Sequence, residues 1–496
     1  MSFVTNFPLF CLILCLLCAA ISVALRGDAA RRLTALLCLL VAGMNLTLLF
    51  YVNQIGEAVT YLMGHVPHPW GNELRFGLLE PLFACVFALV LLCCVIGGKG
   101  QLQRDLKPSR QGLYFAMTDL VLASLMALSY TNDLFTGYVF LEISTIAACG
   151  ILIVRQIGST TLAAVRYMIF SLVGSGLFLI GFIILYHITG HLLMPNLNER
   201  IALLWESGDY HLPLMASMAL LTVGLAIKSG LFPFHFWMPD TYGSATPASS
   251  GILSGLVSKG YILLLIKLVY SVFGSEVYYA AGMQNVLYVF GAMGIVFGSV
   301  SAMRENDVFR MIAYSSAAQI GYIYLGIGMS PTLGIAAALF HILTHAMTKP
   351  ALFLAGAQLS ATVGGRRRFR DLQGAGYANR FAGLSFTVGA LSMIGIPLTM
   401  GFVSKYLFAR AAIAADWMLI PTLLVLALST VLNTCYFGRT LLRLYNRPEQ
   451  AQPQRIVWRA QRGYALCAAA LAAGNLALGI FSQPLIDFLA RGLQLF

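Results

Sequence analysis

The stretch Val223-Gly224-Leu225-Ala226-Ile227-Lys228-Ser229-Gly230-Leu231-Phe232-Pro233 places a lysine inside an apolar run, shortly before a proline. A lysine at the centre of a bilayer costs about 2.5–3.5 kcal/mol, so it is retained mainly where a partner, water or a function compensates. Lys405 repeats this pattern, because it lies in another apolar run shortly after Pro397. Backbone groups that a helix break frees are tolerated at membrane depth only where protein or a water-filled cavity receives them. The two stretches therefore predict a membrane protein with broken helices beside an ion path.

The composition agrees with a membrane location. Of the 496 residues, 59% are hydrophobic and only 10% are charged, and repeated apolar runs of about 20 residues are typical of membrane helices. We predict an all-α polytopic membrane protein with about 14 transmembrane helices, near residues 3–25, 33–54, 77–97, 112–131, 134–154, 160–189, 212–233, 245–272, 282–303, 306–328, 331–359, 379–411, 414–437 and 461–489. The net charge of +12 does not indicate nucleic-acid binding, because the basic residues lie in short connections between apolar runs.

The basic residues gather in alternate connections. They follow the first, third, ninth, eleventh and thirteenth predicted spans, and include Arg26, Arg31, Arg32, Lys99, Arg104, Lys107, Arg110, Arg304, Arg310, Arg366, Arg367, Arg368, Arg439, Arg443, Arg447, Arg455 and Arg459. By the positive-inside rule these connections are cytoplasmic, which places both termini outside a prokaryotic inner membrane. The Arg366–Arg368 run is interpreted as a topology anchor, with binding of lipid headgroups or of a partner subunit as the alternative.

The sequence predicts no cofactor and no metal in this chain. The ten cysteines all lie in apolar runs, where a thiol behaves as a small hydrophobic group. The spacing of Cys11, Cys15 and Cys18 could suggest a metal site, but no His or carboxylate stands nearby. The chain has no haem motif, iron–sulfur run, Rossmann fingerprint or Walker A loop. Whether it belongs to an enzyme complex stays open at this point.

Two further charged residues lie deep in predicted spans. Glu142 lies in the fifth span, where an isolated carboxylate would bind a proton or find a cation such as Lys228; a structural hydrogen bond between helices is the alternative. Lys259 lies in the eighth span and is interpreted as functional, with a snorkelling side chain as the alternative. Lys267 fits snorkelling better, and we assign it no role.

The eleventh span carries a titratable stripe. His341, His345 and Lys349 are spaced four residues apart, so they lie on one face of a helix. Imidazole changes charge near neutral pH, which favours a proton relay. A zinc site lacks further ligands, and structural hydrogen bonding is the remaining alternative.

The segment after the seventh span, Pro233–Tyr242, contains His235 and Asp240. These residues could admit protons from the cytoplasmic side, or they could cap and orient the segment. The sequence leaves both interpretations open.

A repeat is suggested by spacing. Lys405 follows Lys228 by 177 residues, and the same offset carries Glu142 onto Gln319. Five spans per unit would give consecutive units opposite orientations, as in transporters built from inverted repeats. We predict an N-terminal segment at 1–110, a first five-helix unit at 111–275, a second at 276–440, and a basic loop with the last helix at 441–496. Helices 7 and 12 are predicted to be broken.

Ordered motifs reveal a resemblance over roughly residues 110–440. Lys228-x4-Pro233 leads into His235-Phe236-Trp237-Met238-Pro239-Asp240-Thr241-Tyr242 and Ala248-Ser249-Ser250-Gly251. Tyr314-Ser315-Ser316-x2-Gln319-x-Gly321-Tyr322, His345-x3-Lys349 and Gly395-Ile396-Pro397-x3-Gly401-Phe402-x2-Lys405 follow in order. This pattern resembles the antiporter-like proton-conducting subunits of respiratory complex I, energy-converting membrane-bound hydrogenases and Mrp-type cation/proton antiporters. The contexts of Glu142 and of the paired histidines look closer to the hydrogenase and Mrp-like members.

The resemblance implies two inverted half-channels joined by a hydrophilic axis. On that basis Glu142 and Lys228 form the charge switch of the first half, Lys259 connects it to the centre, and His341, His345, Lys349 and Lys405 continue the path. The expected partners are other membrane subunits of the same complex, a peripheral redox arm if the complex is redox-driven, and the lipid bilayer. The resemblance implies transport of protons or exchange of protons with Na⁺, and the sequence does not decide between H⁺ and Na⁺. A free-standing transporter of a small solute and an inactive scaffold are the alternative functions.

Overall fold

The computed structural model describes residues 3–66, 71–446 and 461–496, which are mainly helical. In the first half of the chain the α-helices are α1 (Phe7–Ala24), α2 (Gly27–Ile55), α3 (Leu79–Gly97), α4 (Lys99–Asp105), α5 (Pro108–Tyr130), α6 (Leu134–Ile153), α7 (Gly158–Thr189), α8 (Met194–Ser207), α9 (His211–Ser229), α10 (Trp237–Ser244), α11 (Pro247–Ile252) and α12 (Ser258–Lys267). In the second half they are α13 (Ser275–Ala280), α14 (Met283–Arg304), α15 (Val308–Met329), α16 (Leu333–Thr362), α17 (Ala375–Ala378), α18 (Arg380–Ile394), α19 (Met400–Ile413), α20 (Leu419–Tyr445), α21 (Arg462–Ile480) and α22 (Ser482–Gln494). Arg447, Arg455 and Arg459 of the predicted basic loop lie outside the described residues.

Within the described residues, eleven helical segments are long and apolar enough to cross a membrane, so the protein is a multi-pass membrane protein. Helices α15 and α16, of 22 and 30 residues, are as long as many of these segments but are not among the eleven. They carry several polar residues that the sequence analysis singled out. Their polar residues are almost all buried by neighbouring helices. The count of fourteen spans and the inverted repeat stay predictions.

The last predicted span, 461–489, is wrong in its extent. Helix α21 ends at Ile480, and a separate amphipathic helix, α22, begins at Ser482. Pro484 has no N–H to donate to the Ile480 carbonyl, which favours the end of α21 at that residue.

Several elements outside the long helices were not predicted, among them a hairpin and helix α8. Strands β1 (Val59–Leu62) and β2 (Glu73–Phe76) form this small antiparallel hairpin. A single bridge joins Leu74 of the hairpin to Thr131 just after α5, and another joins Asp133 just before α6 to Leu193 just before α8. Helix α8 is amphipathic and short, which is why its periodicity did not stand out among the apolar runs.

The seventh predicted span is interrupted beside Lys228. Helix α9 ends at Ser229, and Gly230 takes a left-handed conformation with φ of 81°. A residue with a Cβ is strained there, and the added atom would lie 2.5 Å from the sulfur of Met238. The chain resumes as a 3₁₀ turn at Phe234–Phe236 and continues into α10.

The twelfth predicted span is interrupted in a similar way. Helix α18 ends at Ile394, Gly395 has φ of 89°, and α19 begins at Met400, where the Thr399 side chain caps it. The two glycines are 165 residues apart, whereas the two lysines are 177 apart. Lys228 precedes its break and Lys405 follows its own, so the lysine spacing does not match the spacing of the breaks.

The eighth predicted span is not a single α-helix. It consists of α11, a π-helical turn at Leu253–Val257, α12, and a second π-helical turn at Leu268–Val272. Such wide turns are rare and are frequent at functional sites. The whole segment is buried. It packs beside α16, which also contacts α3, α15, α18, α19 and α21 and therefore lies at the centre of the protein.

Candidate functional site

The structure brings Lys228 and Glu142 together, as the resemblance implied. The Lys228 Nζ lies 3.4 Å from the Glu142 Oε1, and it donates a second hydrogen bond of 2.7 Å to the Thr145 hydroxyl. Helix α6 supplies both partners from successive turns, and α9 supplies the lysine just before its break. The lysine side chain is fully buried, while 23% of the glutamate side chain is exposed. The pair therefore joins a buried cation to a carboxylate that reaches the surface of this chain.

A small packing gap lies between Lys228 and the residue that precedes Lys259. Lys228 and Ser258 line this gap together with aromatic side chains of α7 and α10, and it is too tight to hold a water molecule. The Tyr261 ring centroid lies 5.6 Å from the Lys228 Nζ, and the Tyr261 hydroxyl donates to Ser144 at 3.2 Å. Lysine 259 follows Ser258 directly, so one hydroxyl separates the gap from the next buried cation.

Lys259 is held by the π-helical turn before it. Its Nζ donates to the Ser254 carbonyl at 2.5 Å and to the Ser258 hydroxyl at 3.0 Å. The Ser254 hydroxyl in turn lies 2.9 Å from the Ser316 hydroxyl of α15. Lys259 is fully buried, which rules out the snorkelling alternative.

Lys349 is held by residues of α15 that lie next to Ser316. Its Nζ donates to the Ile312 carbonyl at 3.1 Å and to the Ser315 hydroxyl. Ser315 and Ser316 are consecutive, so adjacent hydroxyls of α15 serve the Lys349 and Lys259 environments. Helix α15 thus connects the two central lysines.

The two histidines lie between these lysines and the second break. Their ring centroids are 6.5 Å apart. His341 Nδ1 lies 2.7 Å from the Ser404 hydroxyl, but His341 Nε2 and both ring nitrogens of His345 have no hydrogen-bond partner within the described residues. Buried polar atoms are normally satisfied, so these three imidazole nitrogens are available to bond a water molecule or a neighbouring group.

Lys405 closes the chain of cations at the second break. Its Nζ donates to the Ile394 carbonyl at 2.7 Å, which the break leaves at the end of α18, and to the Thr430 hydroxyl at 2.8 Å. The Asn433 side-chain amide donates a hydrogen bond of 2.9 Å to the neighbouring Met393 carbonyl. In the described ranges, none of Lys259, Lys349 and Lys405 lies within ion-pair distance of a carboxylate, and only Lys228 of this series has one. The four lysines and the two histidines are thus a row of buried bases. When one of them gains or loses a proton, the electrostatic field at its neighbours changes.

His235 and Asp240 occupy different environments. His235 is buried and stacks on Phe236, with ring centroids 4.8 Å apart. Asp240 instead forms ion pairs with Arg166 and with Arg310, the latter at 2.7 Å. The structure therefore assigns Asp240 to a surface network.

The sequence analysis missed a second buried ion pair. Lys267 is 5% exposed and its Nζ lies 3.9 Å from the Glu80 Oε1. It also donates to the carbonyls of Ser129 and Thr131, and Glu80 accepts from the Gly77 N–H at 2.8 Å. The snorkelling interpretation of Lys267 is wrong, because the side chain turns inward to the first turn of α3. Glu80, near the start of an apolar run, was the available signal.

A buried carboxylate, Asp119 of α5, was also missed. It accepts a hydrogen bond of 2.9 Å from the Ser22 hydroxyl of α1 and is fully buried. Among the described residues, no three His, Cys, Asp or Glu side chains converge as metal ligands would.

Comparison with known proteins places this geometry in a family. The sequence profile of the NADH:quinone oxidoreductase/Mrp antiporter transmembrane family matches residues 131–432. The NADH-quinone oxidoreductase subunit N of Desulforudis audaxviator is 34% identical over 451 residues, which cover 87% of this chain and 86% of that protein. The subunit N of Chlorobium chlorochromatii is 27% identical over 473 residues, covering 92% of this chain and 91% of that protein.

Solved structures share the fold. A chain of the membrane-bound sulfane sulfur reductase, an archaeal respiratory membrane complex, superposes with a TM-score of 0.88 at 23% identity and covers 100% of this chain and 97% of that chain. A chain of the Mrp complex from Dietzia sp. gives a TM-score of 0.87 at 22% identity, covering 99% and 97%. A chain of respiratory complex I from Thermus thermophilus gives 0.78 at 19% identity, covering 98% and 99%.

The fold and the family match thus define an antiporter-like membrane subunit. The chain belongs to the NADH:quinone oxidoreductase/Mrp antiporter transmembrane family. Its named relatives are subunits of a larger enzyme, which favours a subunit over the free-standing transporter.

Proposed function

We propose that this chain translocates protons along the path Glu142, Lys228, Lys259, Lys349, His345, His341 and Lys405, with His235 near the access side. The observation that carries the proposal is the Lys228–Glu142 contact of 3.4 Å beside a gap that ends at Ser258. Lys228 has the Glu142 carboxylate on one side and the buried Lys259 on the other. It can therefore accept a proton from one side and pass it to the other.

The Lys228–Glu142 pair acts as the charge switch. Two unit charges ~4 Å apart attract by about 4 kcal/mol at an effective dielectric constant of ~20. With Glu142 in place, Lys228 holds its proton as an ammonium that also donates to Thr145. When the pair opens, this stabilisation is lost, and the proton passes through the Ser258 region toward Lys259. Repulsion between the charged lysines then favours movement of the next proton along the axis.

The histidines carry the proton between the centre and the second break. The unpaired nitrogens of His345 and the Nε2 of His341 allow each ring to accept on one side and donate on the other. Ser404, hydrogen-bonded to His341, is adjacent to Lys405. The second half of the path therefore delivers protons to the Lys405 region. The boundary between the two halves of the chain falls near residue 275.

We further propose that the complex is redox-driven and lies in a prokaryotic inner membrane, with both termini outside. The subunit N relatives support a complex I-like enzyme over the hydrogenase and Mrp-like members that the Glu142 context favoured. The two half-channels, 111–275 and 276–440, would be inverted repeats. Exchange of H⁺ against Na⁺ is the second candidate, supported by the TM-score of 0.87 to the Mrp complex.

The test is Lys228→Ala in the complex purified and reconstituted into liposomes. We expect proton translocation to be abolished while the subunits still assemble, as measured with a pH-sensitive dye and by size-exclusion chromatography. Lys99→Ala is the matched control, because that lysine is 43% exposed on the short helix α4. Normal translocation by the Lys228→Ala complex would overturn the proposal.

A second measurement separates the redox-driven from the gradient-driven complex. The chain is tagged at its native locus and extracted in mild detergent, and the co-purifying proteins are identified by mass spectrometry. A dehydrogenase or hydrogenase arm with metal centres would establish a redox-driven pump. Recovery of small membrane proteins alone would establish a cation/proton antiporter.

A further inference from the structure

An open cleft of about 450 Å³ lies at the end of the helices where the Arg-rich connections meet. It is bounded by the α6–α7 connection, the first turns of α7, the end of α10, the α14–α15 connection and the loop after α16. Its lining includes four arginines and two aspartates, namely Arg155, Arg166, Arg310, Arg367, Asp240 and Asp307. We name it the arginine cleft. The proton path described above does not use it.

The arginines of this cleft are held in place by the protein. Arg155 donates to the Ser244 carbonyl, and Arg367 donates to the Gly243 carbonyl at 2.7 Å. The Arg367 guanidinium also lies 4.5 Å from the Phe309 ring centroid. Fixed guanidinium groups lose little conformational entropy when they bind an anion, and they offer several donors in a planar array.

Carboxylates pair with the arginines of this cleft but do not use all of their donors. The Asp307 carboxylate caps α15 by accepting from the N–H groups of Phe309 at 2.8 Å and Arg310 at 3.1 Å. Asp240 is shared between Arg166 and Arg310. Beside the cleft, Asp105 pairs with Arg155 at 3.6 Å and Glu305 pairs with Arg310 at 2.9 Å. The cleft therefore offers spare guanidinium donors, not a surplus of positive charge.

Arg166 is the donor that a ligand can reach. Its side chain is 52% exposed, and its described contacts use only one N–H, on Asp240. A guanidinium has five N–H donors. Arg166 can therefore bind a further oxyanion without giving up Asp240.

An apolar strip begins at the edge of the cleft. Ile157 and Leu162 line it and are exposed, and Val165 and Ile169 continue the exposed strip along α7 into the membrane-spanning part of that helix. A free phosphate ion would gain nothing from contact with such an apolar strip. An anionic phospholipid needs both parts, since its phosphate seeks guanidinium groups and its acyl chains follow an apolar helix face.

We propose that the arginine cleft binds the phosphate headgroup of an anionic phospholipid, with the acyl chains along the exposed face of α7. The lipid would bridge the α6–α7 connection, α10 and the loop after α16. Binding there is independent of the ion that the path carries.

The experiment uses the whole complex, purified and delipidated in detergent. A phosphatidylglycerol with a photoreactive headgroup is cross-linked to it, and the labelled peptides are mapped by mass spectrometry. We expect labels within residues 155–169 and 237–244. Unlabelled phosphatidylglycerol should compete, whereas phosphatidylcholine with the same chains and millimolar inorganic phosphate should not.

Arg166→Gln should weaken competition by phosphatidylglycerol about fivefold, the effect of one basic residue near an anionic headgroup. Arg32→Gln is the control, because Arg32 is 75% exposed and distant from the cleft lining. Leu162→Ser should weaken lipid binding as well, which a site for a free anion would not show.

Ser159→Asp is the second variant if Arg166→Gln does not assemble. It adds a negative charge to the lining in the first turn of α7, where an acidic residue is tolerated, and should reduce labelling by a similar factor. Equal labelling of these variants and the Arg32→Gln control, or equal competition by phosphatidylcholine, would overturn the proposal. Full competition by inorganic phosphate would replace it with a site for a free anion.

Discussion

The His341 imidazole lies within hydrogen-bond distance of the Ser404 hydroxyl, with 2.7 Å between Nδ1 and Oγ. This contact joins the continuous helix α16 to α19, the second half of a broken helix. Because Lys405 follows Ser404 directly, the bond also places the last lysine of the row next to the last histidine. The geometry of the second break is thus fixed by a titratable group.

Ser404→Ala should slow proton translocation without preventing assembly. The substitution removes a hydrogen bond worth about 1 kcal/mol, and it leaves His341 Nδ1 unpaired in a buried site. We expect the rate to fall roughly fivefold in liposomes, since 1.36 kcal/mol corresponds to a factor of ten. Ser207→Ala is the control, because that serine bonds only its own helix α8. Equal rates in the two variants would show that the His341–Ser404 bond has no part in transfer.

Thr145→Val should impair the first half of the path more strongly than its small change in shape suggests. The Thr145 hydroxyl accepts a 2.7 Å hydrogen bond from the Lys228 Nζ, and a charge-assisted bond is worth about 1.5–3 kcal/mol. Valine keeps the volume, so α6 should pack as before. We expect translocation to fall by at least tenfold, measured in the same liposome assay.

Thr434→Val is the matched control for Thr145→Val, because the Thr434 hydroxyl is exposed and bonds only the Thr430 carbonyl of its own helix. A normal rate in Thr145→Val would mean that Glu142 alone holds Lys228.

The buried charges of the path were predictable from the sequence, whereas their hydroxyl partners were not. Lys228, Lys259, Lys349 and Lys405 stand out because a charge in an apolar run is expensive. A serine or threonine in such a run is common, since it can bond its own helix. Sequence therefore gave no reason to select Ser254, Ser404 or Thr430.

Errors in the fold prediction have similar physical causes. Lys267 was interpreted as snorkelling because its distance from the helix end is compatible with that, and only tertiary packing brings Glu80 to it. Helix α22 was merged with α21, because the apolar run continues on both sides of Pro484. Hydrophobicity alone therefore did not show that the first helix ends before this proline. The hairpin of β1 and β2 is too short to produce a recognisable alternation, so its residues were read as a connection.

Gly291→Ala should destabilise the contact between α14 and α15. An added Cβ would lie 2.5 Å from the Leu325 nitrogen and 2.8 Å from the Gly321 carbonyl oxygen, and these backbone atoms cannot move aside. Overpacking of this kind costs about 1–3 kcal/mol. We expect a lower Tm of the purified complex and a lower yield of assembled protein.

Gly176→Ala is the control for Gly291→Ala. Gly176 lies in the middle of α7, and its added Cβ would meet nothing within 4 Å. Alanine favours a helix over glycine by about 1 kcal/mol, so the Tm should stay the same or rise. A similar loss in both variants would mean that the close approach of α14 and α15 does not limit stability.

The Glu80–Lys267 pair should show strong thermodynamic coupling. Removal of one partner of a buried ion pair costs about 3–5 kcal/mol, because the other charge is left uncompensated. Glu80→Gln and Lys267→Met should therefore each lower the thermal stability of the complex sharply, while the double variant should be less damaged than the sum of the two. Lys99→Met is the surface control, since Lys99 lies 3.5 Å from Asp28 with both side chains 43% exposed, and such pairs contribute about 0–1 kcal/mol. If the losses in the double variant are additive, or if Lys267→Met is as stable as Lys99→Met, the contact of 3.9 Å does not hold α3 to α12.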